Sequence, residues 1–286
     1  MYHTGIIRLI TEAGALPLYD LSYGGFTKSF YVPAYRMFVA SLSLISGTDP
    51  ATTAALATIA FGVAAAAAIY LLGREIGGEW VGVCAAFLFV LSPEITIYTI
   101  RPFPEVLGIP LMLLAFYFVV KQRLGLAIIA SVLTALTHQT TAVVLGAVLL
   151  VYGLLARDKK SFVALACAAA AYFAWQLVSL NSLDILSMRQ IALKESGAIT
   201  LSHIERIGAF ALLFAPFALP AIARDWKKHA MTLSFLVATL LLAKNDWFGI
   251  GIFNDRLFTY FAIAAVLVGA IGLAEIWKAL EATEWK

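Results

Sequence analysis

From residue 50 onward the chain is a series of apolar runs near bilayer width, at residues 50–72, 79–98, 103–120, 124–138, 140–156, 161–179, 207–223, 230–244 and 257–278. A helix needs about 20 residues to cross about 30 Å of hydrocarbon. The pattern therefore predicts about nine spans, the fourth and fifth of them short. Runs such as ATIAFGVAAAAAIYLL are apolar on every face, whereas the strands of a transmembrane barrel alternate polar and apolar over segments of about 10 residues. The chain reads as an all-α polytopic membrane protein. Residues 1–49 follow a different period. Residues 3–13 put Ile6, Ile7, Ile10 and Ala13 on one face and His3, Arg8, Thr11 and Glu12 toward the other, with Gly14 as a stop, which predicts a helix lying on the bilayer. Residues 34–46 predict a second amphipathic helix after Pro33, too short to span and carrying Arg36. An aromatic loop, PLYDLSYGGFTKSFYVP, joins the two.

Composition agrees. Of 286 residues, 62% are hydrophobic and 13% charged, against roughly 45–50% apolar in a soluble domain. The basic residues fall in alternate short connections: Arg74; Lys121 and Arg123; Arg157, Lys159 and Lys160; Arg224, Lys227 and Lys228. Lys and Arg in short loops are retained in the cytoplasm. Glu94, Arg101, Glu105, the turn at His138, the 180–206 segment and the 244–256 loop are then expected outside, with the amino terminus external and the carboxyl terminus cytoplasmic. The net charge of +3 is accounted for by these connections and calls for no nucleic-acid partner. The organisation expected is an external region at 1–49, a transmembrane domain at 50–278 and a cytoplasmic tail at 279–286. Residues 1–31 contain no basic stretch followed by a long apolar core, so an external amino terminus points to a span upstream. No phosphate-binding loop, dinucleotide fingerprint, HExxH, CxxC or nucleophile elbow occurs.

The order of elements resembles a known family. An "H…I…GALP.YD" helix, a loop ending in YVPAYR, SGTDP opening a span, and SPEITIYTIRPFPEVLGIPLMLLAFYF together resemble the GT-C superfamily of membrane glycosyltransferases. The likeness is to the protein mannosyltransferase, aminoarabinose transferase and oligosaccharyltransferase-like branch. The resemblance covers most of the chain and rests on order and sidedness more than on any one string. It implies a first span and an acidic residue of the first external loop upstream of Tyr2-His3, a shortened relative being the alternative. A chain without that acid is expected to show little or no transferase activity.

The resemblance implies that Glu105, beside Pro102 and Pro104 in the loop where the family carries its second acidic motif, is catalytic; a first-turn helix cap is the other reading. Glu94, after Ser92-Pro93, reads as a cap or surface residue. Arg256 opens the last span, where a helix amino terminus favours an anion, so it is a candidate for the lipid phosphate; a salt bridge to Asp255 or Asp246, or interfacial snorkelling, is the alternative. Arg101 is a second candidate for that phosphate. His138, in ALTHQTTAVV, is either a substrate-binding residue facing a cavity or part of a polar turn. His3 is either a metal or phosphate contact or ordinary polar surface. Trp247, Phe248 and Phe253 read as a headgroup-level aromatic belt or as stacking surfaces. A surface helix at 182–194 is expected, in a loop that acts as a lid in the family.

The resemblance thus implies an inverting glycosyltransferase that takes a sugar from a polyprenyl-phosphate-linked donor on the external side of the membrane, with a divalent cation, Mg or Mn, as the expected cofactor and membrane lipids as surroundings. Two other classes stay open. One is a non-catalytic relative acting as a membrane subunit or lipid-binding protein; the other is a small-solute transporter.

Overall fold

The structure is a computed structural model that describes residues 2–17, 19–20, 27–28, 31–179 and 205–283. The described chain is helical apart from a two-residue antiparallel ladder, Tyr19–Asp20 with Thr27–Lys28. The helices are Tyr2–Ala13 (α1), Ala34–Ser46 (α2), Pro50–Gly77 (α3), Glu79–Leu91 (α4), Pro93–Thr99 (α5), Glu105–Val120 (α6), Leu124–Thr137 (α7), Gln139–Ala156 (α8), Lys159–Ser179 (α9), Ala209–Arg224 (α10), Ala230–Ala243 (α11) and Asn254–Ala282 (α12). Among them α3, α8, α9 and α12 are long and apolar enough to cross a membrane, and α4, α6, α7, α10 and α11 are shorter apolar helices. The protein is an all-α integral membrane protein.

The run at 79–98 is not one span. Ser92 is extended, at φ −75° and ψ 117°, and separates α4 from α5. A residue before proline is pushed out of the helical region, and Pro93 has no N–H to continue the ladder. The helix expected at 182–194 lies outside the described residues, as do residues 284–286 of the tail; α12 itself runs on to Ala282.

Helix α12 is the axis of the bundle. In its most apolar stretch 89% of residues are buried inside the protein, against 22% for α9, so α12 is wrapped by other helices while α9 lies on the rim. Its closest partner is α10. A Cβ on Gly272 would collide with the Phe214 carbonyl oxygen, and one on Gly269 would stand 2.6 Å from that of Ala211. These two positions let the backbones meet, as small residues do between membrane helices.

The basic connections gather at one end of the bundle. Lys121 Nζ is 3.4 Å from Glu75, Lys160 Nζ donates to the Gln122 carbonyl at 3.2 Å, and the rings of Trp80 and Trp277 stand 5.0 Å apart. Glu94, Arg101, Glu105, His138 and Arg256 belong to the opposite ends of the same helices.

Helix α1 does not lay its apolar face on the bilayer. Ile6, Ile7 and Ile10 are buried against Tyr35, Val39 and Ala40 of α2, Ala54, Ala57 and Phe61 of α3 and Val106 of α6, while Ala13 is exposed. A bilayer and a protein core reward the same apolar stripe, so the period alone could not choose between them. Asp49 caps α3, accepting from the amides of Ala51 at 2.9 Å and Thr52 at 3.3 Å. The amides of Thr52 and Ala51 hold its carboxyl below the ordinary range. Arg8 reaches the same carboxylate at 2.9 Å, an exposed pair that adds little stability.

The contact at Gly272 is testable. Gly272→Ala has to push apart two backbones and is expected to cost about 1–3 kcal/mol, the range of an overpacked core. Gly125→Ala, with nothing within 4 Å of the new methyl, should be neutral or slightly stabilising. Thermal unfolding of the two variants in detergent or nanodiscs checks this; equal midpoints would mean that α10 and α12 do not meet so closely.

Candidate functional site

Glu105 is the first residue of α6, directly after Pro104, and is 8% exposed. A carboxylate buried at the end of an apolar bundle requires a donor. His138 supplies it, its Nε2 lying 3.2 Å from Glu105 Oε1. His138 occupies the break between α7 and α8 and caps α8, its Nδ1 accepting the Thr141 amide at 3.4 Å. Because Nδ1 accepts, a neutral His138 carries its proton on Nε2 and donates it to Glu105. Thr141 Oγ1, 3.0 Å from the same Nδ1, then donates to it, and takes in turn the hydroxyl proton of Tyr260 across 2.6 Å. The result is a chain of four side chains, Tyr260, Thr141, His138 and Glu105, running from α12 through α8 to α6.

Arg256 lies two residues after the start of α12. It is exposed, with its guanidinium carbon 5.6 Å from the centre of the Phe253 ring. Glu105, Ile109, Thr140, Arg256, Thr259 and Tyr260 line one narrow crevice, closed in this structure to a molecule the size of water. Neither acidic neighbour in sequence is idle: Asp255 pairs with Arg206, and Asp246 pairs with Lys244 at 2.8 Å and takes a hydrogen bond from Asn254 at 2.9 Å.

Glu94 is neither a surface residue nor a side-chain cap. It is 1% exposed, and α5 has no side-chain cap. Arg206 grips it with a two-pronged fork, Nε to Oε2 at 2.6 Å and Nη2 to Oε1 at 2.9 Å, and Thr259 Oγ1 donates to Oε1 at 2.6 Å. The fork, with Asp255 behind it, holds the Arg206 guanidinium still more firmly protonated than usual. Ser92 Oγ donates to the Ile207 carbonyl at 2.9 Å, so α5, residues 206–207 and the start of α12 are tied together. The pairing joins residues 112 positions apart, and nothing local to either marks it.

His3, at the start of α1, is half-buried among the rings of Tyr2, Tyr31, Tyr35 and Phe103, at 5.2, 5.5, 6.3 and 6.4 Å between centres. Its Nδ1 accepts from Arg36 Nε at 3.4 Å. Burial, then the charge of Arg36, push the imidazole down to about 3, with Glu105 pulling the other way. Arg36 itself is 1% exposed and sits 5.1 Å from the Tyr2 ring centre and 4.8 Å from that of Tyr31. Arg101 is exposed, and with Tyr2, His3, Thr4, Tyr31, Pro102 and Phe103 it lines a hollow of about 510 Å³.

The five residues singled out in the sequence therefore lie at one end of the bundle. Glu105 and Arg256 line the crevice, with His138 behind Glu105, and His3 and Arg101 line the hollow. In the polar turn, Thr137, His138 and Thr141 are buried and Thr140 faces the crevice. Trp247 and Phe248 are exposed, each at 63%, on the 244–254 turn. Sequence reasoning missed Arg206, Tyr260 and the burial of Arg36. An Arg inside a helix otherwise rich in apolar residues was the one available signal, for Arg36. Among the described residues no group of three or more His, Cys, Asp or Glu stands close enough to hold a metal ion. Glu105 and His138 satisfy each other, so these two residues do not by themselves make a divalent-cation site.

No protein-family model and no curated protein matches the chain. Solved structures do. The chain is similar to ArnT from Cupriavidus metallidurans in the apo state, with a TM-score of 0.66 and 14% identity over 97% of this chain and 54% of that one. It is similar also to the archaeal oligosaccharyltransferase AglB from Archaeoglobus fulgidus in complex with an inhibitory peptide and a dolichol-phosphate, with a TM-score of 0.68 and 14% identity over 100% of this chain and 48% of that one. The apo form of the Archaeoglobus fulgidus oligosaccharyltransferase gives 0.62 and 15% over 99% and 48%. The chain spans about half the length of these proteins. At such identities the likeness establishes architecture, and the architecture is a GT-C-like membrane fold.

Proposed function

We propose that the chain forms the membrane core of a glycosyltransferase that moves a sugar from a polyprenyl-phosphate-linked donor to an acceptor on the non-cytoplasmic side of the membrane. The observation that carries this is that Glu105, hydrogen-bonded to His138, and Arg256 line the same crevice. The side follows from the basic connections at the opposite end of the bundle. The dolichol-phosphate held by the archaeal neighbour supports a lipid phosphate as the anionic ligand.

The chemistry uses residues of this chain. Glu105 accepts the proton of an acceptor hydroxyl or amide as its oxygen or nitrogen attacks the anomeric carbon in line. The bond from that carbon to the phosphate oxygen breaks, the lipid phosphate leaves with the electron pair, and the configuration inverts. Arg256 neutralises the phosphate as charge builds on it, at a helix amino terminus whose free N–H groups favour the same anion. His138 keeps Glu105 ionised and turned toward the crevice; it acts on the substrate through Glu105, as a positioning residue.

Two substitutions separate the roles. Purified protein in nanodiscs is incubated with polyprenyl-phosphate-linked sugars, and loss of sugar from the lipid is followed. Glu105→Gln keeps the shape and removes the base; it should lower transfer by about 100-fold or more while leaving affinity for a prenyl phosphate within about two-fold. Arg256→Met should weaken prenyl phosphate binding by about ten-fold, with a smaller salt dependence, as loss of one charged contact implies. Full transfer by Glu105→Gln would overturn the assignment of the base. Tight prenyl phosphate binding with no transfer by the unaltered protein would favour either a lipid-binding relative or a chain that lacks the upstream acid the resemblance implies.

A further inference from the structure

The hollow bounded by His3 and Arg101 is built differently from the crevice, and the difference lies in a proton. Arg36 places Nε and Nη2 each 3.4 Å from His3 Nδ1. A guanidinium in a protein has only donors and does not lose its proton. Nδ1 must therefore present its lone pair, and the ring proton of a neutral His3 belongs on Nε2. The ring is already enclosed by Tyr2, Tyr31, Tyr35 and Phe103, and Arg36 is 1% exposed within the same cage, so neither partner has room to turn away. Among the described residues Nε2 meets no hydrogen-bond acceptor. Nε2 is not sealed among the buried polar atoms without a partner, and His3 is one of the residues that line the hollow.

We propose that Arg36 is a positioning residue that locks His3 as a neutral Nε2–H donor, and that His3 and Arg101 form an oxyanion-binding subsite walled by Tyr2, Tyr31 and Phe103. Two consequences follow for His3. A nitrogen bearing a proton ligates no metal and serves as no base, so the roles of metal ligand and general base are removed. What remains is donation to an anion, in a hollow that Arg101 also lines and to which it supplies the charge. The rings give the anion a dry wall on which a flat apolar or sugar face can rest, and a hydrogen bond in such surroundings is stronger than in water. The ligand chemistry is a phosphate, carried either by a prenyl lipid or by a soluble molecule. The link to glycosyl transfer rests on the function proposed above; the binding chemistry stands on the hollow alone.

The test has two parts, neither of which reads catalysis. In the first, histidine ring nitrogens are labelled with ¹⁵N in the full chain in nanodiscs, and the His3 signals are assigned by their loss in His3→Gln. The Nε2–H neutral form should persist across about pH 5 to 8, and Arg36→Gln should return the ring to mixed tautomers or to protonation near the ordinary range. In the second, binding of a short prenyl phosphate, the matching prenyl alcohol and inorganic phosphate is measured. His3→Phe keeps the ring contacts without the donor, and His3→Gln keeps a donor near the Nε2 position. His3→Phe should weaken phosphate binding by about ten-fold and His3→Gln by about two-fold or less, with the alcohol bound equally by all three proteins. Inorganic phosphate showing the same pattern as the prenyl phosphate would assign the subsite to soluble phosphates; a pattern confined to the prenyl phosphate would assign it to the lipid. A proton on Nδ1, a charged ring at neutral pH, or equal phosphate binding by wild type and His3→Phe would each overturn the proposal. If Arg36→Gln does not fold, the His3 variants and the wild-type spectrum still decide. The transferase assay follows loss of sugar from the lipid and this one follows phosphate binding by the His3 variants, so failure of the transferase reading and failure of the subsite are told apart.

Discussion

Charge at the end of an apolar bundle has to be met by a partner of fixed geometry, and that constraint decides how this end of the molecule is built. Glu94 and Glu105 are two carboxylates on neighbouring helices, both nearly sealed from water. Left alone, either would cost several kcal/mol. Glu94 is answered by Arg206 and Thr259, and Glu105 by His138. Each answer comes from a different part of the chain. The first pulls residues 206–207 and α12 onto α5; the second draws α6 and α8 together at the break between α7 and α8. Arg256 is placed by both, since Thr259 and Tyr260, one turn further along α12, hang on the two networks.

Such pairs add little to stability by themselves. Replacing a buried ion pair with well-packed apolar side chains is often neutral or stabilising, whereas removing one partner is strongly destabilising. What the pairs supply here is position. Packing along α10 and α12, where Gly269 and Gly272 admit the facing backbone, fixes the bundle without any charge. The polar networks then set the rotation and height of α12 to within a hydrogen bond's tolerance at the crevice end. This division of labour accounts for a bundle whose middle is apolar and whose one end carries two polar networks, Glu94 with Arg206 and Thr259, and Glu105 with His138, Thr141 and Tyr260.

Much of this was legible in the sequence for a plain reason: apolar runs of bilayer width and the placement of Lys and Arg are local, additive signals. Hence α3, α6, α8 and α12 fall close to where the periods put them, and the basic connections meet at one end. Glu105, His138 and Arg256 were also readable, because polar residues at span ends stand out against their neighbours. Three features were not. The break at Ser92-Pro93 was carried by a single proline inside a run apolar enough to pass for a span. The face of α1 has the same stripe whether it meets lipid or α2 and α3. The partners of Glu94 and Arg36 are set by tertiary approach, which no window of sequence contains.

The protonation pattern narrows the chemistry further than the residue list does. Both histidines at this end accept on Nδ1, His138 from the Thr141 amide and His3 from Arg36, so both present Nε2–H. Glu94 is saturated by three donors from Arg206 and Thr259. Among the described residues that line the crevice and the hollow, the one carboxylate is Glu105. In the proposed reaction a proton released in the crevice therefore goes to Glu105, and the negative charge left on the departing group is met by Arg256. Neither histidine can take over the role proposed for Glu105 without first losing the hydrogen bond that holds its Nδ1, so in the proposed reaction the direction of proton transfer rests on the packing of α1, α6 and α8.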